Sequence, residues 1–316
     1  MVIFGGDGED RMDPRDVEVM WPGYDDGFDD SGYVTIGSFD PLPESYGSFL
    51  WTSAVLMNDS MIMACGGGYP ATNKCFGLNL VSGSWATLPS MTYARTESSY
   101  ALVRLIDSDM ILALGGEAKI EVHDPERNAH FWYPMPEWSG RPFHRHCAVA
   151  LDDHQVMVVG ALFPGWQTTV SMILDIQTGK WKDTAPIPNP RQSLACVLTT
   201  IGNKAGVMVT GGTDRKIDPS DYYPASQTDF YQLATDSWVS LANSSFPVEE
   251  HQIVIVQDKP TIIGGQYQMF ERKVEAGGIH MRDHVQIYLE EKGGWDCCVP
   301  AMNHRRAKFA AVLVKM

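Results

Sequence analysis

Pairs of adjacent glycines recur along the 316 residues and constrain the fold more than any other feature of the sequence. Five of these pairs end a short apolar run: Gly5-Gly6, Gly66-Gly67, Gly115-Gly116, Gly211-Gly212 and Gly264-Gly265. A sixth copy, Gly160-Ala161, has lost its second glycine, and the second positions of successive copies lie 45 to 61 residues apart. A repeat of this length predicts similar modules that pack against one another, because a single module cannot bury its own apolar faces.

One repeat unit, residues 93–132, reads as four short strands. Its apolar runs 101–106 and 110–114 are separated by Asp107-Ser108-Asp109, which is typical of a hairpin turn. The alternating run 120–122 follows the glycine pair, and the aromatic run 131–133 completes the unit. We therefore predict an antiparallel meander of four strands that is repeated along the chain.

An aromatic residue follows each glycine pair and is succeeded by the next pair at a nearly constant distance of 27 to 31 residues. These aromatic residues are Phe39, Trp85, Trp132, Trp181, Trp238 and Trp295. Together with the glycine pairs and the arginine-led strands, they make the whole chain resemble a series of kelch repeats. The resemblance implies an all-β fold: a single β-propeller over residues 1–316 with six blades of four antiparallel strands.

The two ends of the sequence complement each other. The chain starts on the second strand of a unit, residues 2–6, and ends on an unmatched first strand, residues 306–314. Pairing these two strands would complete one blade and hide both sheet edges. We therefore expect the C-terminal strand to pair with the N-terminal strand and close the ring.

The charge and hydropathy of the chain exclude several classes of partner. A formal net charge of −15 argues against nucleic acid or an anionic membrane as the main partner. No apolar run approaches the roughly 20 residues that span a bilayer. The first ten residues lack the basic and apolar regions of a signal peptide, so we expect a cytoplasmic location, with secretion as the alternative.

The six cysteines do not have the spacing of a metal site, and we expect no cofactor or metal. Cys65 and Cys75 flank one hairpin and could form a cross-strand bridge in an oxidising compartment. Cys147 and Cys196 lie in apolar strands and are interpreted as core thiols. Asn58 and Asn243 begin glycosylation sequons, which also arise by chance.

Basic residues stand at or beside the start of the innermost strand in five units. They are Arg95, His144, Arg145, Arg191, His251 and Arg306. The kelch resemblance implies that this strand start lines the mouth of the central channel. A ring of such cations would suit the carboxylates of an acidic partner peptide. The alternative is that the arginines bond backbone carbonyls and hold the neighbouring loops.

Three longer insertions, residues 7–16, 214–227 and 267–282, are expected on the faces of the propeller, where loops carry binding residues. Their candidate aromatic anchors for a partner are Tyr222, Tyr223, Tyr267 and Phe270, with local loop packing as the alternative. A further loop contains Asp25, Asp26, Asp29 and Asp30; it lacks the spacing of an EF-hand and is interpreted as a solvated acidic loop rather than a calcium site.

Catalytic signatures such as GxSxG, GxxxxGK[ST] and HExxH do not occur in the sequence. We could not assemble the tyrosine, histidine and crosslinked-cysteine set of a copper oxidase. The sequence therefore favours a monomeric, non-enzymatic protein-interaction module that recognises a partner peptide or loop on one face. The alternatives are a secreted or surface propeller that binds carbohydrate or a receptor, and a sugar-type oxidase or isomerase.

Overall fold

Short antiparallel strands form nearly all of the regular structure in the computed structural model. The structure describes residues 1–4, 7–8, 17–19, 39–44, 50, 52–68, 70–95, 100–116, 120–135, 144–163, 166–214, 223–268, 279–299, 302 and 305–314. The candidate anchors Tyr222 and Phe270 and the acidic loop with Asp25 lie outside them.

The strands follow the chain blade by blade. Blade 1 contains β1 (Val2–Phe4), β2 (Asp7–Gly8) and β3 (Val17–Val19). Blade 2 contains β4 (Ser53–Asn58), β5 (Met61–Cys65), β6 (Cys75–Asn79) and β7 (Trp85–Leu88). Blade 3 contains β8 (Tyr100–Arg104), β9 (Ile111–Gly115), β10 (Glu121–His123), the helical turn α1 (Pro125–Asn128) and β11 (Trp132–Pro134). Blade 4 contains β12 (Cys147–Ala150), β13 (Gln155–Phe163), β14 (Trp166–Asp175) and β15 (Lys180–Asp183).

The last two blades each carry an additional two-stranded ladder within the insertions. Blade 5 contains β16 (Ala195–Ile201), β17 (Lys204–Thr210), β18 (Thr213–Asp214), β19 (Tyr223–Pro224), β20 (Thr228–Gln232) and β21 (Ser237–Ser240). Blade 6 contains β22 (Gln252–Val256), β23 (Lys259–Ile263), β24 (Gln266–Gln268), β25 (Ile279–Met281), β26 (Val285–Leu289), the 3₁₀ turn Glu290–Lys292 and β27 (Gly294–Val299). The chain then returns to blade 1 through β28 (Arg306–Ala307) and β29 (Ala310–Val312).

The predicted propeller is confirmed, including its closure. Blades 2 to 6 are four-stranded antiparallel sheets, and the described part of blade 1 has the order β29-β1-β3. Val2 pairs with Val312 and Phe4 with Ala310, so the C-terminal strand takes the place that the first strand has in the other blades. The innermost strands β29, β4, β8, β12, β16 and β22 contact one another in cyclic order, which makes a ring of six blades.

The apolar core lies between the blades. The described residues form six apolar clusters, and each cluster joins two neighbouring blades around the ring. Tryptophans of the outermost strands add a hydrogen bond to the preceding blade. The Nε1 of Trp132 donates to the carbonyl of Pro89 over 3.0 Å, and that of Trp238 donates to the carbonyl of Ala185 over 2.8 Å. Blades therefore stabilise one another as adjoining repeats.

The first glycine of a pair is required because the next blade approaches its backbone. Gly211 has φ +57°, and a Cβ built there would lie 2.3 Å from the Val248 carbonyl oxygen and 2.7 Å from a ring carbon of His251. Gly293 has a similar φ of +62°, but a Cβ there would meet nothing within 4 Å. Comparing Gly211 with Gly293 therefore distinguishes the steric clash with the next blade from the strain of a left-handed backbone.

Gly211→Ala is expected to lower the free energy of unfolding by about 2–3 kcal/mol, and Gly293→Ala by about 1 kcal/mol. Both variants place alanine in a left-handed conformation, but only the first forces the Val248 backbone to move. Urea unfolding followed by tryptophan fluorescence measures the difference. Equal losses in the two variants would contradict the close blade contact at Gly211.

Candidate binding site at the channel mouth

Arg191 is fully buried and joins strands of its own blade to one another. Its Nη1 donates to the carbonyls of Gly211, over 3.1 Å, and Gln227, over 3.0 Å. Its Nη2 forms an ion pair with the carboxylate of Asp229 on β20. The side chain therefore links the start of the innermost strand to the end of the second strand and to the third strand.

Arg95 and Arg306 repeat this arrangement in two other blades. Arg95 donates to the Gly115 carbonyl and pairs with Glu121 on β10 over 2.9 Å. Arg306 pairs with Glu18 on β3 over 3.1 Å. Both side chains are at most 2% exposed, like that of Arg191. The expected cationic ring is therefore corrected for these three arginines: all three pair with carboxylates inside the scaffold, and Arg95 and Arg191 also bond backbone carbonyls, as in the structural alternative.

A signal for these ion pairs is present in the sequence. Glu18, Glu121 and Asp229 occupy the same register in the third strand, opposite the residue two positions before each glycine pair. In blades without the arginine, this register holds Phe76, Met172 or Gln286. An acidic residue in the third strand thus accompanies an arginine before the first strand, as a buried charge requires.

The mouth of the channel is formed by residues next to these strand starts, where four blades share one backbone conformation. Arg145, Ser193, Glu250 and Lys308 have φ values of 54°, 54°, 52° and 59°. Their backbones form a chain of hydrogen bonds: the Ser193 amide donates to Arg145 (2.8 Å), the Glu250 amide to Ser193 (3.2 Å) and the Lys308 amide to Glu250 (3.1 Å). A continuous, hydrogen-bonded rim therefore surrounds this side of the mouth.

Three of the four rim side chains are charged, and the rim side chains interact with one another and with Asp7. Ser193 Oγ donates to Glu250 Oε1 over 3.0 Å, and Lys308 Nζ lies 3.8 Å from a carboxylate oxygen of Asp7. Burial raises the pKa of Glu250, and the neighbouring Glu249 raises it further. Arg145 and Lys308 act in the opposite direction, because each stabilises the ionised carboxylate of Glu250. Predicted Arg145 belongs to this rim, whereas Ser193, Glu250 and Lys308 were not predicted as binding residues.

A cavity of about 190 Å³ lies in the channel and is lined by all six innermost strand regions. His146 and His251 lie in its wall, and burial lowers the pKa of each imidazole to about 3. His251 Nε2 is 2.9 Å from Thr210 Oγ1. His251 is therefore neutral at physiological pH, and its expected cationic role is corrected. His144 is partly exposed and precedes Arg145 in the sequence, and its role at the mouth stays a prediction.

The aromatic candidates are placed only in part. Tyr267 is half-buried, and the Arg282 guanidinium stacks 4.0 Å from the centre of its ring and 4.6 Å from that of Phe246. Tyr267 thus packs locally, as its alternative interpretation proposed. The backbone of Tyr223 pairs with Asp214 in the β18–β19 ladder. Tyr222 and Phe270 are not among the described residues.

Disulfides link cysteines within and between blades. Cys65 and Cys75 are joined across blade 2, in agreement with the bridge considered from the sequence. Cys147 and Cys196 are also joined, with 5.8 Å between their Cα atoms, and this bond connects β12 to β16. Their interpretation as core thiols was therefore wrong: two adjacent innermost strands bring them together across 49 residues of sequence. Cys297 is disulfide-bonded as well.

Two further features concern a possible metal site and membrane-spanning helices. Among the residues that the structure describes, one group of potential metal ligands lies together, Asp152, Asp153 and His154, in the turn between β12 and β13. The ligating atoms of this group are within 4.8 Å of one another. In the same part of the chain, no helix has the length and apolar character needed to cross a membrane.

Comparisons with known proteins agree with this architecture. No protein-family model matches the chain. The Kelch-like protein terF of Aspergillus terreus (strain NIH 2624 / FGSC A1156) is 26% identical over 207 residues, which are 62% of this chain and 43% of that protein. The match thus spans less than half the length of the relative. The solved structure of YjhT superposes with a TM-score of 0.63 at 11% identity, covering 83% of this chain and 87% of YjhT, and shows similarity of fold alone.

Proposed function

We propose that this kelch-repeat β-propeller is a protein-interaction module that binds a peptide or loop with an acidic side chain at its channel mouth. The observation that carries the proposal is the rim of Arg145, Ser193, Glu250 and Lys308, which sets two cations on a hydrogen-bonded backbone above a cavity. Arg145 offers a planar fork for a carboxylate, and Lys308 offers a second positive charge. Glu250 between them rejects a second partner carboxylate and so favours one register of the bound segment.

The scaffold supports recognition because the rim is fixed before a partner arrives. Its residues are joined by backbone hydrogen bonds between blades 4, 5, 6 and 1. Binding then costs little conformational entropy on the propeller side. We further propose that residues 1–316 form one domain that acts as a monomer, since the closing strand pairs within the same chain.

Differential capture from lysate tests this function. The Arg145→Ala/Lys308→Ala variant should lose a partner that the wild type retains, as identified by mass spectrometry. The matched control is Lys182→Ala/Lys204→Ala, which removes two positive charges from exposed positions of β15 and β17. Identical partner sets for the wild type and the mouth variant, with both folded by circular dichroism, would overturn the proposal.

The disulfides favour the second candidate function, a secreted or surface propeller that binds carbohydrate or a receptor. Disulfides persist in oxidising compartments and are rare in reducing ones, so they oppose the expected cytoplasmic location. Asn58 of one sequon is exposed at the end of β4.

Alkylation of the protein isolated from its native source separates the two locations. If the protein resides in an oxidising compartment, iodoacetamide applied in denaturant should label none of the six cysteines before reduction and all six after reduction. Intact mass counts the labels, and digestion with a glycosidase reports glycans on Asn58 and Asn243. Labelling of Cys147 and Cys196 without reductant would instead favour the cytoplasmic location.

A further inference from the structure

A second concave surface lies toward the end of the channel opposite the Arg145–Lys308 rim. We call it the distal groove, and its half-buried or exposed aliphatic side chains are Val55, Leu56, Ile106, Val149, Val197 and Leu198. Its volume is about 520 Å³, within the range of roughly 300–1,000 Å³ that is usual for ligand sites. Ile106 is 37% exposed, although it is a large aliphatic residue.

The distal groove is bounded by the innermost strands, whose aliphatic side chains pack partly against the clusters between the blades and leave the rest of their surface open. Val55 and Leu56 lie on β4, Val149 lies on β12, and Val197 lies on β16. Their counterparts on the second and third strands are buried between blades, but these side chains remain only half-buried. The structure thus leaves apolar surface from four adjacent blades facing a common space.

Asp107 lines this groove, and three further aspartates lie in the turns that adjoin it. Asp107 and Asp109 lie in the turn after β8, and Asp152 and Asp153 lie in the turn after β12. The amide of Ile106 donates to the carbonyl of Asp152 over 3.2 Å, which holds the two turns together. The four aspartates therefore lie in two joined turns at this end of the channel, and we call them the acidic rim.

The nearby cations offset only part of this negative charge. Arg104 pairs with Asp109 over 2.9 Å, and His154 pairs with Asp153 over 2.6 Å. The hydrogen bond with Asp153 raises the pKa of His154. Even with His154 protonated, four carboxylates face two cations, so the rim attracts positive charge.

We propose that the distal groove binds a short partner segment with aliphatic residues flanked by lysine or arginine. The aliphatic residues would cover the half-buried surface of Val55, Leu56, Val149 and Leu198, and the flanking cations would meet the acidic rim. This site is opposite in charge preference and in position to the proposed channel-mouth site. A failure of the proposed function at the channel mouth would therefore leave the distal-groove proposal unaffected.

Fluorescence anisotropy with defined peptides tests this surface. The probe is a fluorescein-labelled peptide, KRLILRK; the comparison peptides are EDLILDE, which reverses the charges, and KRSGSRK, which removes the aliphatic residues. We expect KRLILRK to bind at least about tenfold more tightly than either comparison peptide, because both parts of the site are needed. Equal affinity for KRSGSRK, or no binding of KRLILRK below millimolar concentration, would overturn the proposal.

Variants locate the bound peptide on the protein. Asp107→Lys/Asp153→Lys and, separately, Val149→Ser/Leu198→Ser should each weaken KRLILRK binding at least about tenfold. Asp258→Lys/Glu291→Lys makes the same change in net charge at exposed positions of blade 6 and should leave the affinity within twofold. If this control weakens binding as much as the rim variant, the attraction is to the overall charge of the protein and the assigned site is wrong.

Arg145→Ala/Lys308→Ala is expected to bind KRLILRK like the wild type. This result separates the distal groove from the channel mouth. Loss of KRLILRK binding in Arg145→Ala/Lys308→Ala would place the peptide at the mouth and overturn the assignment.

Discussion

Replacing Arg191 with alanine is expected to lower the free energy of unfolding by about 3–5 kcal/mol. Its guanidinium is completely buried, and its removal leaves the Asp229 carboxylate without its cation and the Gly211 and Gln227 carbonyls without its donors. An uncompensated buried charge is among the most damaging consequences of a single substitution. Urea unfolding followed by tryptophan fluorescence measures the loss.

The residues at the equivalent positions of blade 6 indicate a second substitution that should restore part of the stability lost in Arg191→Ala. Blade 6 has valine at the position of Arg191 and glutamine at the position of Asp229, namely Val248 and Gln286. Arg191→Val/Asp229→Gln should therefore recover at least about half of the lost stability, since no unpaired charge remains. Arg104→Ala, which removes a partly exposed ion pair, should cost at most about 1 kcal/mol. A loss below 1 kcal/mol in Arg191→Ala would refute the structural role of the buried pair.

Deleting residues 306–316 is expected to abolish cooperative unfolding of the propeller. The deletion removes the partner of β1 and the cation of Glu18, and it removes the buried side chains of Phe309, Ala310 and Val312. Blade 1 would then expose an edge, and two apolar clusters would lose members. Differential scanning calorimetry should show no native transition for the truncated chain.

A circular permutant is the matched control for this deletion. It places residues 306–316 before Met1 through a short turn, so that blade 1 gains a hairpin like the one between β4 and β5 in blade 2. All strand pairs are kept, and the melting temperature should stay within about 8 °C of the wild type. Native-like melting of the truncated chain, or failure of the permutant alone to fold, would contradict closure by β29.

The parts of the fold that depend on a repeated residue type could be predicted from the sequence. The glycine pairs mark places where the next blade allows no Cβ, as at Gly211, and the tryptophans mark bonds to the preceding blade. The kelch resemblance and the six-bladed ring closed by β1 and β29 are confirmed. The burial of Arg95, Arg191 and Arg306 could also have been inferred from the acidic residues at one register of the third strand.

The candidate site was predicted less completely because its rim is defined by the backbone. Ser193, Glu250 and Lys308 share a left-handed conformation and a hydrogen-bond chain, but not a residue type. Charge alone directed attention to the neighbouring arginines instead. The bond between Cys147 and Cys196 depends on how two adjacent blades are staggered, which the spacing along one chain does not encode.

Photo-crosslinking tests whether the partner is recognised at the channel mouth. A benzophenone amino acid is placed at His144, which is partly exposed beside Arg145, or at Lys182, which is exposed on β15. We expect the partner lost by Arg145→Ala/Lys308→Ala to be crosslinked from position 144 and not from position 182. Crosslinking of that partner from position 182, with none from position 144, would contradict recognition at the channel mouth.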